Sequence, residues 1–545
     1  MKKQTRITAR LAAMPLLMSL GLPAAYAGIA GVTDQDAGTT GAQFELWARS
    51  GTIVLGDGNS LATWGYSTSA TGMQYPGPTL IVNQGDTVTV TLHNGLLVPT
   101  SIIFPGQAGV TASGSCAPPQ CLNLLTQEAG PASALNANDG ATATYSFVAS
   151  RPGTYLYQSG SRAELQVEMG LVGALIVRPT GFAEGTHELH PDRVAYDNVG
   201  SAGYQPTHYD REYLFFLTEM DRSAHDAVDT RQEAFAAGGY SGFDDPALDA
   251  VPGAAIDPAG FKATLWFING RNGPDTLLAR TVDWMPSQPY NALPRAHAGE
   301  RVLMRLVGAG RDLHPFHHHG NNAWLIARDG QVLESAPGAS ANYPDYDCLP
   351  EFDPAYATRT DCPLVTGTMP KSSPGQATLP DQAISNYTVQ VVPGSTYDAI
   401  FTWTGRGLNW DIYGSQPGHS AGTGTCDEST RLPGEDPVSH CHQFNDAMGA
   451  RNFPVTLPEQ QSLTFGGFWS GSPYLGTAEA IPPLQGGLNP GAGYSYMWHS
   501  HTERELTNDD VFPGGMMSMF ILEQEPTAGD NICDDGTFNT GPCAP

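Results

Sequence analysis

The sequence is poor in positive charge. It carries 26 Lys and Arg against 54 Asp and Glu in 545 residues, a formal net charge of -28 at pH 7. A polyanion of this size repels nucleic acid and anionic lipid, which excludes nucleic-acid partners. Long apolar runs are missing too. Beyond the N-terminus, no stretch reaches the roughly 18 apolar residues that a membrane span requires. Helix-period stretches are scarce, charged residues make up only 15%, and Gly (63) and Pro (43) are abundant. Short β-branched runs between turn signals take their place, and they argue for an all-β chain. Histidine is almost absent from the first third of the chain, where His93 stands alone between Gly28 and Pro179.

The N-terminus has the composition of an export signal. Lys2, Lys3, Arg6 and Arg10 form a basic start, Leu11 to Ala25 an apolar stretch, and Ala25-Tyr26-Ala27 a small-residue cleavage site. Residues 1–27 therefore read as a signal peptide, and the mature chain is expected in the periplasm or at the cell surface and beyond. The eight cysteines fall as four close neighbours: Cys116 and Cys121, Cys348 and Cys362, Cys426 and Cys441, Cys533 and Cys543. An even count in an exported chain reads as disulfides, with nearest-neighbour pairing the simplest scheme.

Two β-domains follow from the strand and turn signals, spanning 28–182 and 205–525. In the first, Thr87-Val88-Thr89-Val90-Thr91-Leu92 alternates as a strand with one buried face. Leu80 to Val82, Gly153 to Tyr157 and Gly173 to Val177 supply further strands. In the second, strands are expected at Tyr213 to Leu217, Leu265 to Ile268, Arg301 to Leu306, Trp324 to Ala327, Tyr397 to Trp403 and Met516 to Leu522. Gly/Pro/Ser-rich stretches at about 334–384 and 414–490 read as surface insertions, and 526–545 as a tail with its own cysteine pair.

Eight of the fifteen histidines fall in three clusters: His314, His317, His318 and His319; His440 and His442; His499 and His501. On a strand, residues i and i+2 point to the same face, so a His-X-His pair can aim two imidazoles at one metal. His317/His319 and His499/His501 would converge if their strands are neighbours. Four imidazoles suit copper, zinc, nickel or iron.

His314-Pro315-Phe316-His317-His318-His319-Gly320 resembles the multicopper oxidase motif His-Pro-X-His-Leu-His-Gly. The resemblance extends to Tyr75-Pro76-Gly77-Pro78, to Gly85-Asp86-Thr87-Val88, to Gln166 through Leu171, to Ile268-Asn269-Gly270 and to Gly514-Gly515-Met516-Met517. It implies two cupredoxin-like Greek-key β-sandwich domains, with long loop insertions in the second. It also implies copper as cofactor, His314 as a type 1 ligand, and His317, His319, His499 and His501 as ligands of trinuclear type.

Several family ligands are missing. The first domain has Ile103-Phe104-Pro105-Gly106 and Gln158-Ser159-Gly160 where the family has His-Trp-His-Gly and His-Ser-His. Ser500 stands at the type 1 cysteine and Glu505 at its second histidine. A blue-copper centre needs a cysteine thiolate, which a hydroxyl cannot replace. His440-Cys441-His442 with Met448 is a possible substitute, while a Cys441–Cys426 disulfide is the plainer reading. Met516, Met517 and Met519 either pack or offer thioethers to cuprous copper. The expected activity is that of a copper oxidoreductase with a reduced centre, acting on metal ions or small phenolic donors with oxygen. The rival is a non-catalytic copper- or zinc-binding or structural protein. Laccase-type reduction of oxygen to water is not expected with half the cluster gone.

Overall fold

The computed structural model describes residues 29–34, 41–180, 182, 193–196, 207–297, 300–320, 322–342, 378–403, 472–473, 494–523 and 532. The expected signal peptide lies outside these residues. So do the His440-Cys441-His442 segment and all the cysteines except Cys116 and Cys121, which form a disulfide. Among the described residues no helix is long and apolar enough to cross a membrane.

Eight strands build a first sandwich: β1 (Ala42–Val54), β2 (Ser60–Ser67), β3 (Gly77–Asn83), β4 (Thr87–Asn94), β5 (Thr111–Gly114), β6 (Thr142–Val148), β7 (Gly153–Gln158) and β8 (Val172–Arg178). A one-turn helix, α1 (Ala163–Gln166), sits between β7 and β8. The strands form sheets of order β2-β1-β4-β6-β5 and β3-β8-β7. The alternation of β4 explains its place: Val88, Val90 and Leu92 are buried, while the threonines between them face outward.

The second sandwich begins with β9 (Arg211–Met220), the helix α2 (Arg222–Ala237), β10 (Leu265–Ile268), β11 (Arg295–His297), β12 (Arg301–Gly308), β13 (His314–His318) and β14 (Ala323–Arg328). It continues through β15 (Gln331–Val332), β16 (Ser340–Asn342), β17 (Thr378–Pro380), β18 (Ile384–Asn386), β19 (Thr388–Val391) and β20 (Thr396–Thr402). The last strands are β21 (Ser472–Pro473), β22 (Tyr494–Ser500) and β23 (Met517–Glu523). Its sheets run β10-β9-β12-β20-β14-β15 and β11-β23-β22-β13-β19.

The second sandwich repeats the first. β9 lies antiparallel to β10 and parallel to β12, as β1 does to β2 and β4. β23 lies parallel to β11 and antiparallel to β22, as β8 does to β3 and β7. Both are cupredoxin-like Greek-key β-sandwiches, the all-β class that the sequence pattern implies. The long helix α2 is an addition that the strand-dominated reading lacks. Asp221 caps it by accepting the Ser223 N–H at 2.9 Å, and Gln232 accepts the Trp64 indole N–H at 3.1 Å from the first sandwich.

The sandwiches share an apolar seam in which Leu156 and Val172 of the first pack with Phe216 and Phe267 of the second. A buried charge network crosses the same junction. Glu212 of β9 accepts Arg178 Nη1 from β8 at 2.7 Å and Arg305 Nε from β12 at 2.8 Å. Asp398 of β20 accepts the Thr154 hydroxyl from β7 at 2.6 Å. Burial alone would raise the Glu212 pKa, but the two guanidiniums hold it down to about 2.

Glu212→Gln leaves two buried arginines short of an anion and is expected to cost about 3–5 kcal/mol in urea unfolding at neutral pH. Because the folded pKa lies below the ordinary value, this contribution is complete above about pH 4.5. It fades only as pH falls through about 2. Equal stabilities of the variant and the natural protein at neutral pH would contradict the network's role.

Candidate metal centre

The centre is laid out by the register of β13, β22 and β23. His317 lies directly opposite His499, and His499 directly opposite Met517. The His319 N–H continues the register by bonding the Met497 carbonyl at 3.1 Å. Cross-strand partners share a face, so His317, His319, His499 and His501 stand on one side of the sheet. Phe316, Tyr496, Trp498 and Phe520 fill the sandwich core on the other.

His317, His319 and His499 place one ring nitrogen each within 4.8 Å of the others. Their remaining contacts fix the rings. His499 Nδ1 lies 2.6 Å from the Ser500 carbonyl oxygen, and His317 Nδ1 2.8 Å from the Thr388 hydroxyl. A carbonyl only accepts, so His499 carries its proton on Nδ1 and presents the Nε2 lone pair, 3.3 Å from His319 Nε2. Outer partners of this kind set the tautomer of metal-bound histidine. Burial, reinforced by the neighbouring imidazoles, holds His317 down at about 2 and His499 at about 4. Neutral imidazoles that converge on one point are the donor set of copper or zinc, and copper fits it.

His501 completes the group from outside. Its ring centroid is 4.8 Å from that of His317 and 5.7 Å from that of His499, and it is exposed to solvent. His318 takes no part: it points into the core, and its Nε2 accepts the Ala323 N–H at 3.0 Å.

His314 stands apart from the cluster. The resemblance makes it a mononuclear-type ligand distinct from the cluster, and strand alternation places it on the opposite face of β13 from His317 and His319. Its Nδ1 lies 2.9 Å from Glu505 Oε2 and its Nε2 2.9 Å from Glu219 Oε2. Two carboxylates, one on each ring nitrogen, require both nitrogens to donate. The ring is a buried imidazolium. Burial would lower its pKa, yet Glu219 and Glu505 raise it to about 9.

The same carboxylate oxygen, Glu505 Oε2, also accepts the Ser500 hydroxyl at 2.5 Å. It therefore stands between the two positions that would flank a mononuclear copper. The first sandwich has the matching arrangement. Ile103 bridges Gln158 there as His317 pairs with His499, so Thr100 corresponds to His314 and Ser159 to Ser500. Gln166 Oε1 accepts both the Thr100 hydroxyl, at 2.8 Å, and the Ser159 hydroxyl, at 2.6 Å. In each sandwich a side-chain oxygen joins the two matching positions, and the groups around it do not form a blue-copper donor set. Ser500 and Glu505 are readable in the sequence as lost ligands. Glu219, Gln166 and Thr388 are not, because each is brought in by tertiary packing.

No family model matches the sequence. The chain is 24% identical over 324 residues to the "Probable nitrite reductase-hydroxylamine oxidoreductase fusion protein" of Kuenenia stuttgartiensis, and this covers 59% of the chain and 29% of that protein. It thus spans less than a third of that relative's length. Among solved structures, it is similar to the blue copper oxidase of Nitrosomonas europaea, with 17% identity, TM-score 0.43, and 88% and 85% of the two chains covered. It is also similar to the copper nitrite reductase of the same organism, with 17% identity, TM-score 0.34, and 66% and 84% covered. At such scores the overlaps decide nothing about activity.

Removing the imidazolium tests the buried triad. His314→Asn is expected to cost about 3–5 kcal/mol near neutral pH, since two buried carboxylates lose their cation. A raised histidine pKa stabilises fully below its ordinary value of 6.5, and the gain is lost as pH rises through about 9. The difference between variant and natural protein in urea unfolding should therefore shrink between about pH 6 and about pH 10. A difference that grows with pH would contradict the assignment.

Proposed function

We propose that this chain is an exported copper protein that binds its metal through His317, His319 and His499, with His501 at the rim, and acts as an oxidoreductase. The convergence of three tethered imidazole nitrogens within 4.8 Å carries this reading. Copper held there would supply one-electron exchange with whatever reaches the His501 side. The protein's part is to keep the imidazoles neutral, to orient them through Thr388 and the Ser500 carbonyl, and to leave one flank open. With an oxygen at both mononuclear positions, donors meet the metal centre directly rather than through a blue-copper relay.

Metal ions and small phenols are the expected donors, with oxygen as acceptor. The name of the Kuenenia relative adds nitrite to the compounds worth screening. The net charge of -28 favours cationic donors through long-range attraction. A second reading is that the chain binds copper or zinc without turnover, and the two oxygen-filled positions favour it.

Copper content and electron paramagnetic resonance of the copper-loaded protein test the proposal. The expected result is about one copper per chain, without a blue charge-transfer band, and largely lost in His317→Ala/His499→Ala. A blue-copper signal, or full copper retention in the double variant, would overturn the assignment. Reduction and reoxidation of bound copper with a donor separates the enzyme from the mere binder: no cycling with any donor leaves only the second reading.

A further inference from the structure

The larger sheet of the first sandwich ends at β5, which pairs with β6 on one side only. All four residues of β5 are exposed, and among the described residues no backbone group bonds its outer side. A sheet edge carries a row of unpaired N–H and C=O groups, and folds ordinarily guard it with charged side chains or proline. Val110 to Ser115 has neither. The lack of charge extends well beyond the strand. Between His93 and Asp139 the one charged residue is Glu128, in a chain where charged residues make up 15%. Glu128 is buried, and its carboxylate accepts the Ser161 hydroxyl at 2.6 Å and the N–H groups of Leu122 and Asn123 at 2.7 and 3.0 Å.

Those last two bonds hold an apolar tip. The chain after β5 closes a loop through the Cys116–Cys121 disulfide, and Asn123 then turns it in the left-handed conformation, at φ 52°. The Asn123 side chain donates to the Cys116 carbonyl at 3.1 Å. Leu122, Leu124 and Leu125 are thereby presented to solvent at 64%, 81% and 69% exposure, on a backbone fixed before anything binds. Gln127 ties the tip to β5: it lies against Gly114 and donates to the Cys116 carbonyl at 2.8 Å. At the opposite end of β5 stand Val110, half-buried, and Val148, which is 48% exposed and two residues beyond Ser146, the partner of Thr111.

We infer that β5 and the Leu122–Leu125 tip form a docking surface for a second copy of this chain, with the two β5 strands antiparallel about a two-fold axis. The choice of partner follows from charge. At a formal net charge of -28 two copies repel, and this uncharged flank lets them meet without bringing carboxylates together. A cationic partner would be drawn to the acidic surfaces instead. The surface is also self-complementary. Running β5 against its own copy places the leucine tip of each beside Val110 and Val148 of the other, so apolar surface is buried twice over.

Sedimentation velocity over a range of concentrations tests this on the natural protein and on Leu124→Glu and Ser113→Lys. Both positions are exposed, so both variants should melt as the natural protein does. The natural protein should dimerise, and each variant should raise the dissociation constant about tenfold or more, the scale set by the burial of one leucine. Hydrogen exchange at the amides of residues 111–114 should slow in the natural dimer. Added salt should tighten the association, because it screens the net repulsion. The inference is overturned by a natural protein that is monomeric at every concentration, or by a dimer that both variants leave intact. A dimer that salt weakens, or one whose 111–114 amides exchange as in the monomer, would overturn it equally.

Discussion

The register of β13 against β22 is the constraint on which the site depends. Placing His317 opposite His499 puts the imidazoles on one face and commits Phe316, Trp498 and Phe520 to the core on the other. A one-residue slip would bury the histidines and expose the aromatics, so the core itself enforces the geometry of the centre. The imidazole face is therefore not a loop arrangement that must be assembled on binding. It is the reverse side of a packed sheet, and it inherits that sheet's stiffness.

The same strands carry a second polar group on their other face. With Ser500 in place of cysteine, nothing of soft character remains to hold copper, and Glu505 supplies an oxygen that bonds both Ser500 and His314. On its other nitrogen the His314 imidazole meets Glu219 from β9. The first sandwich reaches the same end without charge, through Gln166 and two hydroxyls. In each case an unfilled polar cavity would be costly, and a side-chain oxygen removes that cost. The buried triad ties β9, β13 and the segment after β22 together on the face opposite the imidazole cluster.

Much of this was legible in the sequence. The alternation of Thr87 to Leu92, the His-X-His spacings and the bare first domain all report local features, and local features survive into the structure. The helix α2 was hidden because a single helix inserted between strands leaves no mark on overall composition. His314 differs in kind. A motif preserves spacing, but whether its first histidine binds a metal depends on residues at 219, 500 and 505, far apart in the chain. The second partner of His317, Thr388, was equally invisible, since only the pairing of β13 with β19 brings it into reach.

Anomalous diffraction at the copper absorption edge, on copper-soaked crystals of the natural protein, tests the central claim most directly. The account predicts density among His317, His319 and His499, and none between His314 and Ser500 or between Thr100 and Ser159. A copper peak at either oxygen-filled position, or an empty imidazole cluster, would contradict it.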